Sequence, residues 1–453
     1  MVEETAEAPV PSKTVRETLF TRHYALIILT LAYTSSHVDR GIVNILMPSI
    51  KATFGVSDTL LGLMSGLVFA LFYATLGVPI AMWADRGNRR NIIALAVTIW
   101  SAMTAACGMA GSFSQLLVAR IGVGIGEAGS SPPSHSMISD LYPKEQRSTA
   151  MSVYAVGVYA GAMIGLVVGG YVVQLYGWRA TFFVVGLPGL VIAALVRFTI
   201  KEPVRGDADG LAHLATSDTV ERQGVSWALL KVYSVGLLHV FVHLWQTRSA
   251  RHIIIGLTLV SFIGYGGLIF GPSFFARSLG LDMAKIGLIF GLTAGFVGGS
   301  GAVLGGYLAD RLSRTDMRWN AWVIAVAKLL AMPLFVVFYM SSDLNIMIPI
   351  YVLSSILGAF YLGPSFAMIQ SLTPPHMRAL ASAVMLFVLN FIALGFGPLT
   401  VGFLSDQLEP YFGIESLRWA LFATSFLGLW AAVHYYWAGQ TYEADLEKLK
   451  IQG

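Results

Sequence analysis

Two short charged clamps, each set between long apolar runs, constrain this chain more than any other feature. The first is Asp85-Arg86-Gly87-Asn88-Arg89-Arg90. The second is Gly306-Tyr307-Leu308-Ala309-Asp310-Arg311-Leu312-Ser313-Arg314. They lie about half the chain apart, so one unit several helices long occurs twice. Two further pairs keep the same order. Tyr142-Pro143-Lys144-Glu145-Gln146-Arg147 is matched by Thr373-Pro374-Pro375-His376-Met377-Arg378, and Gly177-Trp178-Arg179 by Leu417-Arg418-Trp419. One match would carry little; three in order make the duplication firm. Doubled helical halves are a common construction for transporters that rock one half against the other around a central site.

Composition decides the solvent. The chain has 453 residues, of which 56% are hydrophobic and 12% charged; soluble domains have roughly 45–50% and 25%. In hydrocarbon every backbone N–H and C=O needs a partner within the protein, so spanning segments are helices or a closed barrel. The apolar runs last about 20 residues and do not alternate, which fits helices and excludes barrel strands. Twelve spans are expected: 23–50, 59–84, 91–111, 113–140, 148–176, 179–200, 251–275, 283–309, 319–340, 344–370, 377–404 and 416–437. The fold class is therefore an all-α membrane protein, two pseudo-symmetric bundles of six helices.

Most of the 29 Lys and Arg fall on one side of these spans. The other side holds Lys51, Arg179, Arg277, Lys285 and Arg418. The positive-inside rule then places both termini in the cytoplasm. The expected organisation is an N-tail (1–20), a first bundle (21–200), a linker (201–250), a second bundle (251–437) and a C-tail (438–453). Within the linker, Trp227 to Trp245 is apolar but carries Lys231, His239 and His243, and reads as an amphipathic helix at the membrane interface. The N-terminus shows no cleaved signal pattern. Short loops and the absence of eukaryotic sorting signals suggest a bacterial inner membrane.

The net charge of +4 reflects basic loops, not nucleic-acid binding, and the single cysteine, Cys107, excludes a disulfide framework. No histidine set has metal-ligand spacing, and no phosphate-binding loop points to ATP-driven transport. Neither a cofactor nor an enzymatic site is expected.

At this point the chain resembles the major facilitator superfamily over nearly its whole length. The Asp85–Arg90 clamp, with Asn88 where the superfamily usually has Gly, resembles the Spinster family in particular. Val38-Asp39-Arg40, Gly122-Val123-Gly124-Ile125-Gly126-Glu127-Ala128, Asp140-Leu141-Tyr142-Pro143-Lys144-Glu145-Gln146-Arg147 and Glu202-Pro203-Val204-Arg205-Gly206 point the same way. Ala81 departs from the pattern, since the first clamp usually opens on Gly; Gly306 keeps it in the second. The resemblance implies alternating access. It marks the matching Asp, Arg and Glu positions as transport residues, and associates the family with sphingolipid and lysolipid transport.

A charge at the bilayer centre costs about 2.5–3.5 kcal/mol on insertion scales, so such residues are functional candidates. They are Asp39 and Arg40 in span 1, Arg120 and Glu127 in span 4, and Lys328 in span 9. Arg120, Gly124, Glu127, Ser131 and Ser134 recur at helical spacing on one face of span 4. Asp39 and Arg40 are about 100° apart around span 1 and cannot pair well with each other. Cross-helix pairing, Asp39 with Arg120 and Glu127 with Arg40, resolves both. A carboxylate beside Arg prefers to be charged and in a dry cavity prefers to be neutral, which makes such pairs proton switches.

Asp39, Arg120 and Glu127 are thus the expected proton-coupling set, with the two acids interchangeable in role. Arg40, Glu127, Ser131, Tyr265, Tyr361 and Asn390 are the expected substrate contacts. Asp85, Arg86, Arg89, Arg90, Asp310, Arg311 and Arg314 are expected to gate, pairing across the cytoplasmic seam in one conformation only. Lys328 is read as snorkelling to the surface, His37 as either a proton relay or a hydrogen-bonded interior histidine, and Pro132-Pro133 as a hinge in span 4. A cavity charged on one wall and apolar on the other suits a small amphiphile with a polar head, carried with a proton by a monomer. Two other readings stay open: a proton-coupled transporter of a small organic anion, and an uncoupled lipid facilitator.

Overall fold

The structure, a computed structural model, describes residues 13–206, 208, 227–374 and 377–452. Every regular element among the described residues is helical. Span 1 is Lys13–Phe54 and span 3 is Arg89–Gly108. Spans 5 and 6 share the stretch Lys144–Thr199, divided at Gly177, whose φ of 79° lies where glycine is favoured. Span 7 is Arg248–Leu279 and span 9 is Trp319–Met340. The remaining spans cover 58–86, 113–141, 283–313, 344–371, 378–412 and 416–452. The helices overrun the expected apolar limits at several ends, because helical backbone continues past the hydrocarbon edge.

Ten of the twelve spans lie in stretches long and apolar enough to cross a membrane by length and composition. The two exceptions are informative. Span 1 carries Ser35, Ser36, His37, Asp39 and Arg40 in its middle. Span 4 is broken into Phe113–Glu127 and Ser131–Leu141. The break falls at residues 128–130, immediately before Pro132 and Pro133, which occupy the first turn of the second piece, where a missing N–H is tolerated.

Small residues set the packing within each half. A Cβ on Gly161 would stand 2.5 Å from the Thr34 carbonyl oxygen, and one on Gly165 would stand 2.7 Å from that of Val38, so span 5 lies directly on span 1. Gly126 lets span 4 approach the Trp100 backbone of span 3 in the same way.

The two halves meet at the face opposite the chain ends. Asp58, at the start of span 2, accepts from Lys51 at 2.9 Å, from both terminal nitrogens of Arg277 at 2.6 and 2.5 Å, and from Ser405 at 2.8 Å. Asp406 of span 11 caps span 2 by accepting from the backbone N–H groups of Asp58 and Thr59. Gln174 accepts from the Ala284 N–H. Among the described residues, the hydrogen bonds joining the halves all lie at this face.

Below this face the halves splay apart. The nearest span 5 atom to a Cβ on Gly291 would be at 2.6 Å, on Gly295 at 3.0 Å, and on Gly299 at 3.8 Å. A Cβ on Gly306 would meet nothing within 4 Å. The molecule is sealed at one face and parted at the face that carries its termini.

The linker helix Trp227–Gln246 packs Val240 and Leu244 into the second bundle beside Ile253 and Ile254. Leu238, Phe241, Val242 and Trp245 stay exposed on its other side. One side is anchored to protein and the other exposes apolar side chains.

Candidate functional site: a charged wall facing an aromatic cavity

The charged wall is built where span 1 meets span 4. Arg40 Nε donates to Glu127 Oε2 at 2.6 Å. The Glu127 side chain has no exposed surface, whereas that of Arg40 is 27% exposed, so the pair has one dry end and one end open to the interior. The guanidinium also lies over the rings of Phe69 and Tyr73, 4.8 and 4.7 Å from their centres. These contacts hold a planar cation at the edge of the chamber by attraction to the ring faces.

Asp39 is 1% exposed. It lies within electrostatic reach of Glu127, Arg120 and Arg40, with Thr104 beside it. Asp39 and Arg120 form no direct ion pair, in contrast to the expected pairing. Asp39 Oδ1 and Arg120 Nε and Nη1 are buried without hydrogen-bond partners, and the Arg120 guanidinium stands over Phe69 at 5.6 Å. Phe69, in the same span as Tyr73, thus contacts both guanidiniums. The difference from expectation has a simple cause: helical spacing fixes which faces meet, but not how far apart the polar ends of two side chains come to rest.

Across the chamber, the second half presents a cavity of about 480 Å³. Tyr265, Phe274, Phe275, Phe290, Phe338, Tyr339, Tyr351 and Tyr361 contribute most of its aromatic wall. Tyr265 lies within electrostatic reach of Arg40 and joins the two walls. Ser261 donates to the Tyr361 hydroxyl at 3.1 Å. Tyr265 and Tyr361 both line this cavity. Ser131 opens the second piece of span 4 and is partly buried. Asn390 does not line this cavity: it lies in a π-helical turn of span 11 and donates to the Leu386 carbonyl at 2.9 Å.

Lys328 is the residue that sequence reasoning misjudged. It does not snorkel. It is 8% exposed, lines the aromatic cavity, donates to the Gly358 carbonyl at 3.0 Å and stands 5.5 Å from the Tyr361 ring centre. The available signal was the neighbouring face: Ala321, Ala325, Lys328 and Ala331 recur at helical spacing and are all buried, while Leu329 and Leu330 are exposed.

The gating candidates divide. Arg89 is not at the seam. It is fully buried inside its own half, bound to Asp140, to Glu202 at 2.8 Å, to Ser136 at 2.8 Å and to the Pro203 carbonyl. Arg90 donates its backbone N–H to Glu202 and its guanidinium to Asn91 and the Ile200 carbonyl. The Asp85 and Arg86 side chains lie outside the described residues. Asp310, Arg311 and Arg314 are exposed at the parted face, with Arg311 donating to Tyr307 at 2.9 Å. His37 bonds to the Tyr33 carbonyl of its own helix at 3.1 Å.

Twelve helices in two halves, sealed at one face around a charged centre, frame the comparison with known proteins. The model of the Major Facilitator Superfamily matches residues 29–398. The chain belongs to that superfamily. It is 32% identical to an MFS-type efflux pump of Mycolicibacterium smegmatis, covering 93% of this chain and 94% of that protein. It is 26% identical to Protein spinster homolog 1 of Xenopus tropicalis, over 90% and 79% of the two lengths. A solved bacterial homolog of the human lysosomal transporter Spinster, in an inward-facing and unoccupied conformation, is 30% identical. The match covers 96% of this chain and 99% of that one, with a TM-score of 0.81. Within the superfamily the chain is a Spinster-type transporter, an integral membrane protein that moves small substrates.

Proposed function

We propose that the chain is a proton-coupled secondary transporter of a lipid-like amphiphile of the lysolipid or sphingoid type, working by alternating access. The observation that carries this reading is the set of four interior charges on spans 1 and 4, three of them buried, facing an aromatic cavity. Asp39 and Arg120 are buried and partly unpartnered, while Arg40 and Glu127 are bonded. A carboxylate without a partner in a dry interior favours its protonated form, and one beside a guanidinium favours its ionised form. Movement of Arg120 around Phe69 toward Asp39 exchanges these conditions and couples proton release to the change of open face. Asp39 carries the coupling proton with Arg120 as its switch. Arg40, Glu127 and Ser131 meet the polar head, and the aromatic wall with Tyr265 and Tyr361 takes the apolar part.

The parted face is cytoplasmic on the positive-inside argument, with both termini on that side of a bacterial inner membrane, and the protein acts as a monomer. Asp310, Arg311 and Arg314 are free at that face to close it in the opposite conformation. The first expected outcome is selective uptake. In proteoliposomes with an imposed pH gradient, a panel of lysolipids, sphingoid bases and small organic acids gives gradient-driven accumulation of an amphiphile. Accumulation of only the organic acids would replace the amphiphile by a small anion. Amphiphile transport indifferent to the gradient would leave an uncoupled facilitator.

A further inference from the structure

We infer that Lys328 is the anchor for an anionic group, a phosphate or carboxylate, on the transported amphiphile, so that the second half reads the substrate's charge as well as its tail. The inference rests on the transporter reading above and refines its substrate class. Lys328 is the midspan cation of the second half, more than nine-tenths buried, and its ammonium faces the 480 Å³ cavity. Its contacts are a neutral carbonyl, Gly358 O at 3.0 Å, and the face of Tyr361. No carboxylate lies within 4 Å of it among the described residues.

A buried ammonium of this kind keeps donor capacity unused, since Lys carries three N–H donors and no acceptor. Buried charges are normally paired, and an unpaired one disfavours the fold. The two acids of the first half offer no counter-ion to Lys328: Glu127 is bonded to Arg40, and Asp39 is in electrostatic reach of Arg120 and Arg40, not of Lys328. The missing partner is therefore brought by something that enters the cavity. Ser355 lies one turn before Gly358 on the same helix and lines the same space, as does Ser354. Both hydroxyls donate to the Tyr351 carbonyl, at 3.0 and 2.7 Å, so the ammonium is the cavity's donor for the oxygens of a phosphate or carboxylate, while Phe338, Tyr339 and Tyr351 suit a hydrocarbon chain.

The ligand class is an amphiphile whose anionic oxygens reach Lys328. A purely cationic amphiphile gains nothing there and meets like charge. The test is equilibrium binding to the purified full-length protein, without a gradient, so its outcome does not depend on proton coupling. The probes are lysophosphatidic acid, oleate and sphingosine. The wild-type protein binds the two anionic probes, and Lys328→Met weakens each by tenfold or more while leaving sphingosine within twofold. Lys328→Arg retains the anionic probes. Ser355→Asp, which keeps the lysine and sets a carboxylate beside it, weakens the anionic probes as Lys328→Met does and provides the reading should Lys328→Met fail to fold. Unchanged anionic binding in either Lys328→Met or Ser355→Asp would overturn the inference. So would an equal loss of all three probes in folded Lys328→Met, which marks a packing role.

Discussion

Glu127 has no exposed side-chain surface and leans on Arg40 at 2.6 Å. Removing one partner from a buried pair leaves an uncompensated charge, which destabilises by about 3–5 kcal/mol when both groups are buried. Arg40 is partly open, so Arg40→Ala is expected to lower the unfolding free energy by less, about 2–3 kcal/mol. The double variant Arg40→Ala/Glu127→Gln recovers about half of the loss, because a neutral amide needs no cation. Denaturant unfolding in detergent reads both. A double variant as unstable as the sum of the two single variants would mean that the pair is not coupled. The pair itself was legible in the sequence, because two charges on each of two adjacent helices leave few partners. The gap between Asp39 and Arg120 was not, because helical spacing sets which faces meet and not the distance between side-chain ends, and Arg120 also contacts Phe69 from a third helix. Lys328 was misread for a related reason: a lysine a third of the way into a span can reach either the surface or the interior, and only the turn of the helix decides.

The span boundaries follow from hydrocarbon thickness and could be read directly. The break in span 4 was foreshadowed by Pro132-Pro133 and falls just before them. The join between the halves was not foreshadowed, because it depends on residues in different repeats: Asp58 with Arg277, and Gly62 with Pro398. A Cβ on Gly62 would stand 2.5 Å from the Pro398 carbonyl oxygen, against backbone that cannot swing aside as a side chain would. Gly62→Val is therefore expected to unseal the closed face. Cys107 is the chain's one cysteine and is buried, so the background for cysteine labelling is clean. A cysteine introduced as Ala70→Cys, at a fully buried position facing Gly395 across the seam, is expected to be inert to a membrane-impermeant maleimide added at the closed face. It becomes reactive when Gly62→Val is added. Equal reactivity in both backgrounds would show that the glycine contact does not hold the face shut.

For the whole molecule, the duplicated clamps announced two equivalent halves, and the fold has them. Their chemistry is unequal. The first half holds four interior charges, and the second holds an aromatic cavity with one lysine. The seal at the far face combines the ion pairs of Asp58 with a line of glycines that widens from Gly291 to Gly299. Exchange of the open face therefore means breaking one compact set of contacts, which a few kcal/mol of substrate and proton binding can bias.

We propose that protonation of Asp39 is tied to that exchange, and transport by an Asp39 variant tests the tie. Asp39→Asn and wild-type protein are compared in proteoliposomes for two activities: downhill exchange of labelled amphiphile, and accumulation against its gradient driven by a pH difference. The prediction is that Asp39→Asn keeps exchange within a few-fold and loses accumulation. An Asp39→Asn protein that still accumulates amphiphile as the wild type does would contradict it.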